Sequence, residues 1–168
     1  METWRATYAG ILPESALARM REKNHRANWS NLLQGHRSGL REGELVLVAE
    51  EVKAGVVGFV SAGRTRSAIS GYDGEIYTLY VAPDFQNRGV GAKLLTGTFR
   101  KLEACQIHSV MLWVLARNPS RFFYEAAGGA IVATRKERFW GVVLPELAYG
   151  WPDLARALNR SSDGAKAD

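Results

Sequence analysis

Cysteine and histidine are scarce in this sequence. Its 168 residues include one cysteine, Cys105, and three histidines. A single cysteine cannot form an internal disulfide, and one thiol with three scattered imidazoles cannot supply the Cys and His pairs of a structural zinc site. We therefore expect no bound metal and a reducing compartment.

Long apolar runs are also absent. No stretch approaches the roughly twenty apolar residues that span a bilayer, and residues 1–10 lack the apolar segment of a secretory signal. The sequence thus predicts a soluble, cytoplasmic protein that does not bind membranes.

Positive charge is the one property in excess, with a formal net charge of +5. The basic residues are spread from Arg5 to Lys166 and mixed with acidic ones, so they do not form the basic patch with interleaved aromatics that indicates a nucleic-acid partner. We expect no nucleic-acid partner, and the charge is better explained by a smaller polyanion.

The length and a hydrophobic content of 46% predict one domain, which we place at residues 1–158. Residues 159–168 are mostly small or polar. We expect them to form a flexible C-terminal tail.

Hydrophobic periodicity predicts an α/β fold. Apolar residues at helical spacing between Trp4 and Leu33 indicate N-terminal helices, and β-branched runs at Leu45–Ala49 and Gly55–Val60 indicate an antiparallel hairpin. The later predicted elements are a strand Glu75–Val81, a helix Val90–Glu103, a strand Ser109–Leu115, a helix from Asn118 to Ala127, and strands Ala130–Lys136 and Val142–Tyr149. The strand, helix and strand between Glu75 and Leu115 require a right-handed crossover between parallel strands.

A glycine-containing turn follows the predicted strand Glu75–Val81. Residues 86–92 read Gln-Asn-Arg-Gly-Val-Gly-Ala, and the next helix begins there. Glycines allow close backbone approach, the free N–H groups at a helix N-terminus attract anions, and Arg88 adds a cation. The segment lacks the Gly-Lys-Ser/Thr triplet of a P-loop, and Leu94 replaces the third glycine of a dinucleotide fingerprint. It predicts a phosphate site of another kind, with a turn that merely starts a helix as the simpler alternative.

Two segments resemble signatures of the GNAT N-acetyltransferase superfamily. Leu79–Ala92 resembles the pyrophosphate motif, Arg/Gln-x-x-Gly-x-Gly/Ala after a strand with a β-bulge. Asn118–Gly129 is similar to the segment that runs from an Asn through Phe-Tyr to a Gly, with Arg121 where a small residue is usual. The resemblance implies an α/β (α+β) fold whose mixed central sheet has splayed strands four and five and helices on both faces. Because helix-like sequence begins near Met1, we expect the first strand to be missing or reduced.

In that family the pantetheine arm of acetyl-CoA lies between the splayed strands. The resemblance implies that Leu79, Tyr80 and Val81 offer it backbone N–H and C=O groups and that Asn118 helps to position it. The pyrophosphate would bind at Gln86, Asn87, Arg88, Gly89, Val90, Gly91 and Ala92. The expected partners are acetyl-CoA, as co-substrate, and a primary amine of a small molecule, peptide or protein that takes the acetyl group directly.

The resemblance also implies two catalytic side chains. Tyr124, which would contact the cofactor too, matches the family tyrosine that protonates the leaving thiolate. Counted back from Gln86, Glu75 falls where histone-type members carry a glutamate that deprotonates the amine through water. The oxyanion would be held by the amide of Val81 or Leu79. A core tyrosine, a solvated glutamate and a water chain without a protein base stay open as alternatives.

The sequence does not identify the amine acceptor. The family's groove implies Trp29, Tyr72, Phe139 and Trp140 as candidates for its walls. A non-catalytic CoA-binding module that keeps the phosphate site is the alternative function, and both a monomer and a homodimer fit the sequence.

Overall fold

A computed structural model of the chain describes residues 44–66, 69, 71–139 and 141–164. The helices predicted between Trp4 and Leu33, and any strand near the N-terminus, lie outside the described residues, as do Trp29 and Trp140.

The described strands and helices follow the order that the sequence predicts, with one further helix after the last strand. The strands are β1 (Leu45–Glu51), β2 (Gly55–Arg64), β3 (Gly74–Val81), β4 (Val110–Leu115), β5 (Ala130–Phe139) and β6 (Val142–Trp151). The helices are α1 (Val90–Ala104), α2 (Arg121–Ala126) and α3 (Leu154–Gly164), and a 3-10 turn lies at Pro83–Phe85.

The six strands form one mixed sheet in the order β1-β2-β3-β4-β6-β5. All neighbouring strands run antiparallel except β3 and β4, which are parallel and joined through α1. The β1–β2 turn is stabilised by the Glu51 carboxylate, which accepts hydrogen bonds from the N–H groups of Lys53 and Ala54, both at 2.8 Å. The predicted mixed sheet flanked by helices is confirmed.

Strands β3 and β4 pair over a very short distance. Only Gly74 with Val110 and Glu75 with Met111 are in register, and the strands then separate. Beyond that point β3 remains paired with β2. The pairing has one β-bulge: Thr78 pairs with Ser61 and Ile76 with Ala62, so Tyr77 is an extra residue between them. The splayed strands and the β-bulge expected from the sequence are thus both present.

The hydrophobic core lies between one face of the sheet and the described helices. Alternation along β6 identifies this face: Tyr149 and Trp151 belong to the core cluster, and Leu147 packs against it. From α1 the buried residues are Leu94, Leu95, Thr98, Phe99 and Leu102, which form a helical stripe. We call this the helix face and the other side the open face; α2 joins the helix face because the Tyr124 ring lies 6.1 Å from that of Tyr149.

The C-terminal region differs from the expectation. Helix α3 continues to Gly164, so the boundary that we placed after Leu158 falls inside a helix. Leu154 is fully buried, and Ala157 and Leu158 pack against the core, which stabilises the helix beyond what local composition indicates. The last two strands are also longer than predicted: β5 continues to Phe139, which pairs with Val142, and β6 continues to Trp151, which pairs with Val110 of β4.

Close packing at Gly58 fixes the position of β3 against β2. A Cβ atom at this residue would lie 2.9 Å from the backbone oxygen of Tyr80 and 3.1 Å from Cδ1 of Leu94. We predict that Gly58→Ala lowers the free energy of unfolding by about 1–3 kcal/mol, because a backbone oxygen cannot move aside cheaply. Urea denaturation measures this loss.

Gly97→Ala is the matched control for that substitution. Its Cβ would meet only the flexible Cδ1 of Leu47, at 3.3 Å, and alanine favours a helix by about 1 kcal/mol over glycine. Equal urea midpoints for Gly58→Ala and the unchanged protein would contradict the packing argument.

Candidate active site

The separation of β3 from β4 opens a cavity of about 830 Å³. This volume falls within the range of small-molecule and cofactor sites. Its walls come from β3, the turn before α1, β4, the start of α2 and the β5–β6 hairpin: Tyr77, Thr78, Leu79, Tyr80, Val81, Gln86, Asn87, Gly89, Gly91, Ala92, Trp113, Val114, Leu115, Asn118, Pro119, Ser120, Phe122, Phe123, Tyr124, Phe139 and Glu146.

The cavity side of β3 carries backbone groups that no strand pairs. Ala82, directly after β3, donates its N–H to the backbone oxygen of Val57 at 2.8 Å. Because backbone groups alternate in direction along a strand, those of Tyr80 also point toward β2. Leu79 and Val81 alternate with these residues, and their backbone groups point to the side that β4 has left. The side-chain Nε2 of Gln86 donates to the backbone oxygen of Val81 at 3.0 Å and ties the following turn to the strand.

The turn before α1 presents a set of backbone N–H groups. Asn87 and Gly89 adopt left-handed backbone conformations, with φ of 57° and 78°, which reverses the chain sharply. Within the part of the chain that the structure describes, no backbone or side-chain oxygen accepts from the N–H groups of Val90, Gly91 and Ala92. These groups, at the positive end of the helix dipole, form a site for an anion.

Helix α2 and the turn before it bring Tyr124 and Asn118 to the cavity. Asn118 is 5% exposed, and its side-chain oxygen accepts from the N–H of Ser120 at 2.9 Å, which shapes the start of the helix. Tyr124 is buried among aromatic rings, with the Trp151 ring centroid 6.4 Å from its own. Packing therefore holds the ring that lines the cavity in one orientation.

A second tyrosine lies behind Tyr124. Tyr149 is fully buried and donates a hydrogen bond to the Glu125 carboxylate. Burial, followed by this hydrogen bond and the negative charge of Glu125, raises the pKa of Tyr149 above its ordinary value. The phenol of Tyr149 is consequently kept neutral and structural, and it does not line the cavity.

Glu75 lies at the point where β3 and β4 separate. It is 5% exposed, and its two carboxylate oxygens accept from the backbone N–H and the Nη2 of Arg66, each at 2.8 Å. The guanidinium of Arg66 in turn lies 3.8 Å from the ring of Tyr77. Tyr77 lines the cavity, whereas Glu75 stands beside it at the end of the strand pairing.

Most of the predicted cofactor residues meet at one cavity. Those that line it are Leu79, Tyr80, Val81, Gln86, Asn87, Gly89, Gly91, Ala92, Asn118 and Tyr124. Arg88 does not: its side chain is exposed and lies 5.3 Å from the Phe85 ring. Val90 also stays outside the cavity because its side chain packs against the core.

Among the cavity residues that sequence reasoning missed are Trp113 and Glu146. Both lie inside strands, on the open face, where neither motif nor spacing marks them. Of the aromatic residues expected in the acceptor groove, Phe139 lines the cavity and Tyr72 packs against Gly150 instead. Among the described residues, no three His, Cys, Asp or Glu side chains gather into a metal site.

Family comparison agrees with this geometry. Residues 4–129 match the model of the acetyltransferase (GNAT) family, so the chain belongs to the GNAT family. It is an acyltransferase that transfers groups other than amino-acyl groups. In the described part of the chain, no helix is long and apolar enough to cross a membrane.

Relatives in sequence and structure extend the comparison. The chain is 36% identical over 156 residues to the uncharacterized N-acetyltransferase YuaI of Bacillus subtilis, covering 92% of this chain and 84% of YuaI. It resembles in fold the PaiA N-acetyltransferase of Thermoplasma acidophilum in complex with coenzyme A, with a TM-score of 0.62, 23% identity and coverage of 89% and 87%. Arabidopsis thaliana NAA60, in complex with a bisubstrate analogue, gives a TM-score of 0.61, 21% identity and coverage of 82% and 92%.

Proposed function

We propose that this chain transfers an acetyl group from acetyl-CoA directly to a primary amine of a small molecule, peptide or protein. The proposal depends on one observation: the unpaired edge of β3 and the unpaired N–H groups at the start of α1 face the same cavity. A structural neighbour, the PaiA N-acetyltransferase, was solved in complex with coenzyme A, which supports the same class of ligand here.

The cavity wall suits the two polar parts of CoA. The backbone groups of Leu79 and Val81 would pair with the amide groups of the pantetheine arm as a neighbouring strand would, with Tyr80 between them. Asn118 would contact the arm from the opposite wall. The N–H groups of Val90, Gly91 and Ala92 would bind the pyrophosphate, with Gln86 to Gly89 shaping the turn and the exposed Arg88 screening charge from outside.

Tyr124 is the general acid in this proposal. During acyl transfer the bond from the amine nitrogen to the acetyl carbon forms, the carbon–sulfur bond breaks, and the thiolate takes a proton. A phenol keeps its proton at neutral pH and can donate it to the sulfur. The N–H of Leu79 or Val81 would stabilise the negative charge that develops on the carbonyl oxygen.

Glu75 is the proposed base, acting on the amine through a water molecule. It lies at the end of β3 that pairs with β4, and Arg66 contacts both Glu75 and Tyr77, which lines the cavity. Arg66 covers the carboxylate from the loop side and is itself exposed, with 62% of its side chain accessible. This pairing holds the carboxylate in position beside the cavity.

Turnover tests the general acid. We expect the protein to release CoA from acetyl-CoA when a suitable amine from a panel is present, and Tyr124→Phe to lower kcat by about 10²–10⁴-fold. Affinity for acetyl-CoA should change little, because the ring remains. CoA release and calorimetric binding give the two values.

Tyr149→Phe is the matched control for Tyr124→Phe, since it removes a hydroxyl from the adjacent ring outside the cavity. Its kcat should stay within a few-fold of the unchanged protein. Full turnover by Tyr124→Phe would remove the general acid, and binding of acetyl-CoA without acetylation of any amine would favour a non-catalytic CoA-binding module.

Glu75→Gln tests the base separately. The amide keeps the size of the side chain but cannot take a proton, so we expect kcat to fall about 10²-fold with unchanged affinity for acetyl-CoA. The control is Glu103→Gln, which changes a partly exposed carboxylate that contacts His108 at 3.0 Å. We expect no loss of kcat in this variant. A kcat for Glu75→Gln equal to that of the control would assign proton removal to a water chain.

A further inference from the structure

Glu146 is the only charged side chain among the described residues that line the cavity. Its side chain is 7% exposed. Burying a carboxylate is costly unless it is paired or has a function, and the chain as a whole carries an excess of positive charge. Arg135 pairs with one oxygen of this carboxylate, so the question is what the other oxygen can bind.

Glu146 reaches the cavity from the open face of the sheet. Leu115 of β4 and Arg135 of β5 are its cross-strand partners, and Leu147, the next residue, belongs to the helix face. Tyr124 lines the same cavity from the helix face. The cavity thus passes through the gap between the strands and is reached by Tyr124 on one side and Glu146 on the other.

One oxygen of Glu146 has a protein partner and the other has none. Oε2 accepts from Nε of Arg135 at 2.7 Å. Within the described residues no group donates to Oε1, and this atom is not sealed from solvent. Arg135 is held to the side, because its guanidinium lies 4.0 Å from the Trp113 ring and 3.9 Å from the Glu137 carboxylate.

Aromatic residues line the cavity on the same face of the sheet as this carboxylate. Trp113 and Phe139 both line the cavity on the open face. Aromatic faces and a carboxylate together attract an ammonium group, through cation–π contact and ion pairing.

We propose that Glu146, with Trp113 and Phe139, binds a second, non-reacting ammonium group of the acceptor, so that this chain favours diamines over monoamines. The proposal rests on the proposed function, since it assigns this end of the cavity to the acceptor and not to the polyanionic CoA. A reacting amine has to be neutral to attack, whereas a carboxylate stabilises the protonated form. Glu146 therefore suits the charged group that does not react.

Equilibrium binding tests the proposal without turnover. The CoA-loaded protein is titrated calorimetrically with 1,4-diaminobutane and with 1-aminopentane, which has a methyl group in place of the second ammonium. We expect the diamine to bind about tenfold more tightly, as for a partly buried ion pair, and Glu146→Gln to abolish the difference. Glu137→Gln, which removes an exposed carboxylate that also contacts Arg135, should keep it.

Glu146→Asp retains the charge and should retain part of the preference, which separates charge from packing. If Glu146→Gln fails to fold, the unchanged protein provides the test: it should bind the diamine more tightly than the monoamine, and high salt should remove that difference. Equal affinities for the two amines, or a preference that survives in folded Glu146→Gln, would overturn the proposal. These outcomes are independent of whether acetyl transfer occurs, so failure of the proposed function is seen separately in CoA release.

Discussion

The early end of pairing between β3 and β4 is the constraint on which the site depends. Two residue pairs join these parallel strands, and beyond Glu75 and Met111 the sheet is open. Buried backbone groups seldom remain without partners, so the edge of β3 has hydrogen-bonding capacity that a ligand can satisfy. The cavity, the turn that begins α1 and the start of α2 all lie around this opening.

The opening also separates two chemical environments. On the helix face Tyr124 is packed among aromatic rings and the N–H groups of α1 provide positive potential, which suits a thioester attached to a polyanion. On the open face the carboxylates of Glu75 and Glu146 stand near aromatic side chains, which suits an amine. Two substrates can then meet in the gap without sharing a surface.

Much of this architecture could be predicted from the sequence, because glycines, asparagines and β-branched runs mark turns and strands locally. The turn at residues 86–92 and the turn at Asn118 that precedes α2 are examples. Trp113 and Glu146 could not be found in this way, since a strand residue joins a site through its register with distant strands. Likewise, nothing local indicates that Arg66 pairs with Glu75, or that burial of Leu154 supports a helix through Gly164.

The central claim is that the edge of β3 binds CoA as a neighbouring strand would. Amide hydrogen exchange of the free and CoA-bound protein, resolved by residue, tests it most directly. The account predicts that exchange at Leu79 and Val81 slows when CoA binds, together with Val90, Gly91 and Ala92, while Tyr80, already directed toward β2, changes little. Unchanged exchange at Leu79 and Val81 in a protein saturated with CoA would contradict it.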